Sequence, residues 1–384
     1  MVPRPRPPML YFDHNATHPL SAAARAAWLD AVDGYPANPS SPHRLGARSE
    51  VALDQARAKL AGWLGCRAEE IVWTAGATES NNTALHHLAA RPGPLWVSAI
   101  EHPSLLAAAQ RHFAGRLRLL PAPEGVVSAA ALADALAHEA PAAVAVMAAN
   151  NETGALQDWP ALAAACRARA VPFLCDAAQW LGKAAAHGLG GCDFVSGCGH
   201  KFGGPQGVGF LKCPPRTVAF LVGGPQEEGR RAGTENVAGI LAMVAALEER
   251  ERTLAAGPEI ATRGRWRDAF ERALLAALPG TRLVASGGPR LWNTSAAILP
   301  ETADCRQRWV VKLDRLGYAV STGSACASGK EAPSHVLSAM GFTPAEAGRA
   351  LRFSAGWTTT EEDWHALLGG VLRAAGALGV PPAA

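Results

Sequence analysis

GHKFGGPQGVGF, residues 199–210, sets a lysine between a histidine and a glycine-rich turn, in a chain whose basic residues are overwhelmingly arginine. The β-rich run CDFVSG starts upstream at Cys192 and VGFLKC starts downstream at Val208, so the lysine falls on a turn between two strands. Gly203-Gly204-Pro205 lets backbone come close to a bound group. An amine held on such a turn and partly stripped of water loses its proton readily and can form an imine with an aldehyde cofactor. A lone lysine ahead of a glycine is more often a solvated surface group, so the rest of the chain has to decide.

Outward from this stretch, the runs EIVWT (from Glu70), LWVSAI (from Leu95), AAVAVMAAN (from Ala142) and VPFLCDAA (from Val171) alternate with Ala/Leu-rich helical segments. The alternation predicts an α/β fold with a largely parallel sheet, in which functional residues gather where strands end. Beyond Val237 the pattern changes to a long helix, GILAMVAALEERERTLAA, a break at Gly257-Pro258, and a second helix from about Ile260 to Ala277. This places a domain boundary near residue 255. Residues 13–255 form a large cofactor-binding domain; residues 1–12 and 256–384 form a smaller α+β domain, with the weak strands TSAAIL and YAVSTG and the helix APSHVLSAMG.

The 384 residues suffice for about two domains with a core that needs no staples. A formal charge of +3 offers no field to recruit nucleic acid or an anionic membrane. MVPRPRPPML is broken by prolines and lacks the apolar run of a signal peptide, and no segment reaches the ~18 apolar residues of a membrane span. The expectation is a cytoplasmic protein. Its eight cysteines contain no C-x-x-C pair, so neither a metal site nor a disulfide framework is expected.

Several motifs acquire meaning beside Lys201. Asp176 ends the apolar run VPFLC, where an unpaired carboxylate is costly. It is either a structural cap or ion-pair partner, or the acid facing the ring nitrogen of a flat cofactor, with Gln179 three residues on as donor to a ring oxygen. TAGATESNN after EIVWT reads as strand, glycine turn and helix, so that the first amides around Gly76, Ala77 and Thr78 favour a phosphate. Glu101-His102-Pro103 puts a histidine at a strand end, fit to stack on a flat ring and move protons. Asn150-Asn151-Glu152-Thr153-Gly154 by itself is a turn.

The ordered set FDHNAT, NPSSPHRLG, TAGATESNN, EHPS, NNETG, CDAAQ, GHKFGGPQG, GRRAGTEN, STGSACASG and LRFSAG resembles the cysteine desulfurases, pyridoxal-phosphate enzymes of the class V aminotransferase family with fold type I, over roughly residues 11–360. The resemblance implies a Schiff base on Lys201, ring stacking by His102, a ring-nitrogen partner in Asp176, a contact to the phenolic oxygen from Gln179, and Asn151 near the ring and the substrate carboxylate. It implies phosphate contacts from Ala77, Thr78, Ser196 and His200, with Thr234 supplied by the partner subunit of a homodimer. Two positions depart from the family pattern. Cys198 replaces the usual phosphate-binding serine and is a poorer donor, and Ala16-Thr17-His18-Pro19 replaces the usual ATTP.

The fold type alone permits transamination, decarboxylation, racemisation or elimination. The choice falls to STGSACASGKEAP, where Cys326 is flanked by small residues that leave it mobile. A buried inert thiol is the bland reading; a thiol that visits the cofactor and then delivers sulfur is the functional one. In the resemblance, Cys326 attacks the sulfur of L-cysteine, takes it as a persulfide and leaves L-alanine. Arg352 in LRFSAG is the partner for the substrate α-carboxylate, assisted by Asn38. The loop resembles the subgroup that hands sulfur to protein acceptors in iron–sulfur cluster assembly or tRNA thiolation, so a scaffold or sulfur carrier is the expected partner. A selenocysteine lyase, a thiol-independent aminotransferase and a silent scaffold are the rival readings.

Overall fold

The computed structural model describes residues 9–302, 306–322 and 333–380, with the side chains of 306–308 left aside. Its strands are β1 (Leu10–Tyr11), β2 (Ile71–Thr74), β3 (Leu95–Ser98), β4 (Leu117–Leu120), β5 (Ala143–Ala145), β6 (Phe173–Asp176), β7 (Phe194–Cys198), β8 (Gly209–Lys212), β9 (Arg282–Leu283), β10 (Thr294–Ile298), β11 (Tyr318–Ala319) and β12 (Ala350–Ser354). Seven of them form the central sheet in the order β2-β8-β7-β6-β5-β3-β4. Only β8 runs against its neighbours, pairing antiparallel with both β2 and β7. The alternation read from the sequence therefore does produce a mostly parallel sheet, and the buried apolar run of each central strand is what a sheet covered on both faces requires. The edge strand β4, reading LRLL with Arg118 and Leu119 exposed, was not among the expected strands, because a half-exposed four-residue edge carries little apolar signal.

Apolar side chains from both faces of the sheet close two clusters. One joins helices 44–64, 159–167 and 237–255 through Leu60, Leu162, Phe210 and Met243; the other packs Leu85, Leu105 and Phe113 on the opposite face. A third cluster gathers Phe12, Phe270, Leu274, Phe353, Trp364 and Val371. It contains the helices Glu259–Ala277 and Glu361–Ala377 and sits beside the antiparallel sheet β12-β10-β9. β1 pairs in parallel with β11, so the first described residues pack with the C-terminal part of the chain. Gly257, with φ at +113°, makes the break between the helices Val237–Ala255 and Glu259–Ala277.

The strands running in the common direction bring five segments to one edge. Ala75–Thr78 follows β2, Glu101–His102 follows β3, Asn150–Glu152 comes after β5, Asp176 ends β6, and His200–Lys201 follows β7. A parallel sheet leaves its crevice there.

Candidate active site

A cavity of about 1130 Å³ opens at this edge, lined among others by Asn15, Ala77, Thr78, His102, Asn151, Asp176, Gln179, Cys198, His200, Lys201 and Arg352. Lys201 is delivered by the single helical turn Gly199–Lys201 after β7. Its Nζ donates to the carbonyls of Asn15 and Ala16, each at 2.8 Å. The N–H of Gly204 donates to the Gly199 carbonyl at 2.9 Å and closes the turn, and a Cβ at Gly204 would lie only 3.0 Å from the Gly199 backbone.

Asp176 is 4% exposed. Its carboxylate accepts from Asn81 Nδ2 at 2.9 Å and from the backbone N–H of Ala178 at 2.9 Å, and no cation is among those hydrogen-bond partners. Asn81 also donates to Ser104 Oγ at 3.2 Å, and Ser104 in turn contacts Nδ1 of His102 at 2.9 Å. The histidine ring is thereby held from one nitrogen, and burial lowers its pKa, which keeps it neutral at pH 7. Behind Asp176 lies Glu101, fully buried, with Oε1 accepting from the backbone of Met147 at 2.7 Å. Burial, followed by the nearby Asp176 carboxylate, raises the Glu101 pKa well above the usual range and so favours its protonated form.

The helix Ala77–Leu88 begins at Gly76, whose φ of +151° is one that other residues rarely adopt, and no side chain caps it. Its first amides are thus left to the cavity. Cys198 lies against them: the Ala77 N–H points at its sulfur, and burial pushes the thiol up to about 11, leaving it a thiol rather than a thiolate. His200 contacts Thr17 Oγ1 at 3.2 Å and is pushed by burial down to about 4. Arg352 is 2% exposed. Its Nη2 donates to Asp13 at 2.6 Å and its Nη1 to the carbonyl of Asn151 at 2.8 Å. Arg352 Nε and Asn151 Oδ1 are buried with no hydrogen-bond partner among the described residues.

Three expected residues stand elsewhere. Ser196, completely buried in β7 beside Asp176 in register, has an Oγ without a partner among the described residues but does not line the cavity. Asn38 is exposed and outside the cavity, its Oδ1 spent on the N–H of Ser40 at 2.9 Å, so it does not stand beside Arg352 as expected. The short turn NPSS satisfies itself locally. Thr234 is exposed and outside the cavity of its own chain. Cys326 lies outside the described residues. Of the described residues before and after it, Ser321 pairs through its backbone with Arg352, and Pro333 and His335 line the cavity.

Two residues that the sequence reading passed over organise the centre. Asn15, 1% exposed, accepts Lys201 Nζ and Gln179 Nε2 at its carbonyl, and donates through Nδ2 to Thr294 Oγ1 at 2.9 Å and the Asn151 carbonyl at 3.2 Å. Lys183 reaches Oδ1 of the same asparagine at 3.0 Å. FDHNAT was among the motifs quoted, and the asparagine in it was the available signal; nothing in GK after CDAAQW marks Lys183 as buried. Glu152 joins them at the rim, accepting from Ser334 Oγ at 2.5 Å.

The donor set fits pyridoxal phosphate. An uncapped helix end suits its phosphate, a buried carboxylate without a cation suits a protonated ring nitrogen, an amine suits its aldehyde, and a buried guanidinium with an unsatisfied Nε suits an amino-acid carboxylate. Among the described residues no group of three or more His, Cys, Asp or Glu side chains is arranged to hold a metal ion, and no helix is long and apolar enough to cross a membrane.

Comparison with known proteins gives a consistent picture. The family model described as Aminotransferase class-V matches residues 10–367. A cysteine desulfurase of Enterobacter agglomerans is 35% identical over 366 residues, covering 92% of this chain and 89% of the relative. A cysteine desulfurase of Frankia sp. (strain EuIK1) is 37% identical over 383 residues, covering 92% and 88%. The crystal structure of a NifS-like protein from Rickettsia africae ESF-5 superposes with a TM-score of 0.85 at 28% identity, covering 95% of this chain and 99% of that one.

Proposed function

Because this chain belongs to the class-V aminotransferase family, and within it to the cysteine desulfurases, we propose that it takes the sulfur from L-cysteine, releases L-alanine, and carries the sulfur as a persulfide on Cys326. The observation that carries this reading is the meeting of Lys201, Asp176 and the N-terminal end of the helix Ala77–Leu88 in one cavity.

Pyridoxal phosphate, when bound, supplies the electron sink for the charge left at the substrate's Cα. Lys201 is its covalent anchor and moves the proton at Cα. Asp176 holds a proton at the ring nitrogen, and Gln179 donates to the ring's phenolic oxygen. His102, neutral because it is buried, covers the ring and excludes water. Thr78, His200 and the first amides of the helix Ala77–Leu88 hold the phosphate, with Cys198 as a weaker member. Arg352 and Asn151 receive the substrate α-carboxylate. The Cys326 thiolate forms an S–S bond to the substrate sulfur as the C–S bond breaks, and the carbon takes back a proton. The sum is cysteine plus thiol giving alanine plus persulfide, with no outside oxidant or reductant.

Residues 13–255 are read as the cofactor-binding domain and 1–12 with 256–384 as the smaller one; two separate apolar clusters support this, although Val336 packs into the first of them. A homodimer is supported by Thr234, exposed and outside its own cavity, and by the exposed apolar Leu221 and Val222, Leu221 accepting at its carbonyl from the N–H of Ala232 at 3.1 Å. Sulfur then passes to an acceptor protein in iron–sulfur cluster assembly or tRNA thiolation. Six described cysteines that stand as free thiols support a reducing, cytoplasmic setting.

The test is alanine and sulfide release from L-cysteine with a thiol reductant present. The wild-type protein is expected to form both, and Cys326→Ala to keep the visible absorbance of the cofactor while losing both products. Full desulfuration by that variant rejects the thiol mechanism. Turnover of selenocysteine alone makes the protein a lyase of the selenium analogue.

A further inference from the structure

Lys183 is 4% exposed and lies one helical turn beyond Gln179, in the bend that follows β6. The bend is fixed by the Lys183 N–H donating to the Trp180 carbonyl at 3.0 Å and by the Trp292 side chain donating through Nε1 to the Lys183 carbonyl at 3.1 Å. Gly182 takes a φ of +70° against Phe202, which turns the lysine side chain toward the cavity wall. Among the described residues no carboxylate pairs with its amine. It donates to Asn15 Oδ1 at 3.0 Å and, in a very short contact, to Oε1 of Gln179.

Both acceptors are amide oxygens, and each amide is pinned at its other end. Asn15 Nδ2 donates to Thr294 Oγ1 and to the Asn151 carbonyl, while its Oδ1 also receives Asn293 Nδ2 at 3.1 Å. Gln179 Nε2 donates one hydrogen to the Asn15 carbonyl at 2.9 Å. An amide nitrogen has two hydrogens. The second has no protein acceptor among the described residues, and Gln179 lines the cavity.

We propose that Lys183 is a positioning residue: by holding the oxygen of the Gln179 amide, it forces that side chain to present an N–H, and not an oxygen, to the ligand in the cavity. Ammonium and neutral amine both own the two hydrogens this requires, so the device works in either state. The burial of Lys183, with Lys201 and Arg352 nearby, holds its pKa well below that of a free lysine, which eases the cost of an amine without a counter-ion. The proposal rests on the reading that pyridoxal phosphate occupies the cavity with its phenolic oxygen toward Gln179.

The test compares full-length wild-type, Lys183→Met, Gln179→Leu and double-variant holoproteins by the pH midpoint of their visible absorbance change. Losing a donor to an anionic oxygen beside a protonated nitrogen raises the midpoint, by about one unit for one charge-assisted hydrogen bond. Each single variant is expected to move upward by that amount, and Lys183→Met to add nothing on the Gln179→Leu background. Additive shifts mean that Lys183 acts through its own charge and overturn the proposal, as does an unchanged midpoint in Lys183→Met. If the methionine variant does not fold, Lys183→Gln replaces it, because an amide neighbour offers both a donor and an acceptor and no longer dictates the orientation; the same non-additive pattern is then required. A wild-type protein that gains no visible band with added pyridoxal phosphate overturns the cofactor reading itself, a failure told apart by the missing colour.

Discussion

Arg352 Nη2 donates to Asp13 Oδ1 at 2.6 Å, joining the edge strand β12 of the small antiparallel sheet to the segment that follows β1. The pair explains why a buried guanidinium is tolerated at the cavity wall, and it leaves Nε of Arg352 facing no acceptor among the described residues. Arg352→Lys keeps the charge and loses the planar fork. The expected result is a rise of about 10–100-fold in the KM for L-cysteine with a smaller change in kcat, as uniform loss of substrate binding requires. Steady-state alanine release checks it; an unchanged KM removes Arg352 from carboxylate recognition.

Cys198 sits where the first amides of the helix Ala77–Leu88 meet the cavity, and its thiol is held protonated near 11 by burial. A thiol is a weak donor, and a hydroxyl at the same position is a better partner for phosphate. Cys198→Ser is expected to bind pyridoxal phosphate about 5–10-fold more tightly, worth roughly 1 kcal/mol for one added hydrogen bond. Titration of the apoprotein followed by absorbance reads the constant. Equal or weaker binding by the serine variant places the phosphate away from Cys198.

Stability should fall on mild acidification. Burial holds His14 at about 3, His18 at about 4 and His200 at about 4, against an ordinary 6.5. Each is neutral when folded and takes a proton when unfolded, so its contribution is complete above about pH 6.5 and is lost as pH falls toward 4. Glu101 acts with the opposite sign above pH 4.5, since its folded carboxyl keeps a proton that the unfolded chain releases. Glu235 and Glu251, also raised by burial, act with it, while His87, His102 and His112 are lowered like the other three. The six histidines thus outnumber the three carboxyls and leave a net loss of up to about 1.4 kcal/mol per uncompensated proton for each pH unit. Urea unfolding at pH 7 and pH 5 measures it, and His18→Gln is expected to flatten the slope. A stability that rises on acidification contradicts the buried neutral histidines.

Much of this was legible in the chain before any contact was known. The apolar runs ending at Asp176 and Cys198 are local in sequence and buried on both faces, so their periodicity announced a mostly parallel sheet. Lys201, Asp176, His102 and Gln179 stood at strand ends, where such a sheet must open its crevice. The edge strand Leu117–Leu120 and the displacement of Asn38 were not legible, because an exposed edge has weak patterning and a short polar turn can satisfy itself.

Tertiary structure alone decided which polar groups share partners. Asn15 and Lys183 are 168 residues apart, and nothing in either neighbourhood announces that one side chain will satisfy the other. Arg352 and Asp13, separated by 339 residues, form an ion pair only because β12 is brought beside the segment leaving β1. Periodicity reports which face of an element loses water. The identity of the donor that meets each buried acceptor depends on how distant elements pack, and that is fixed only when the whole chain is folded.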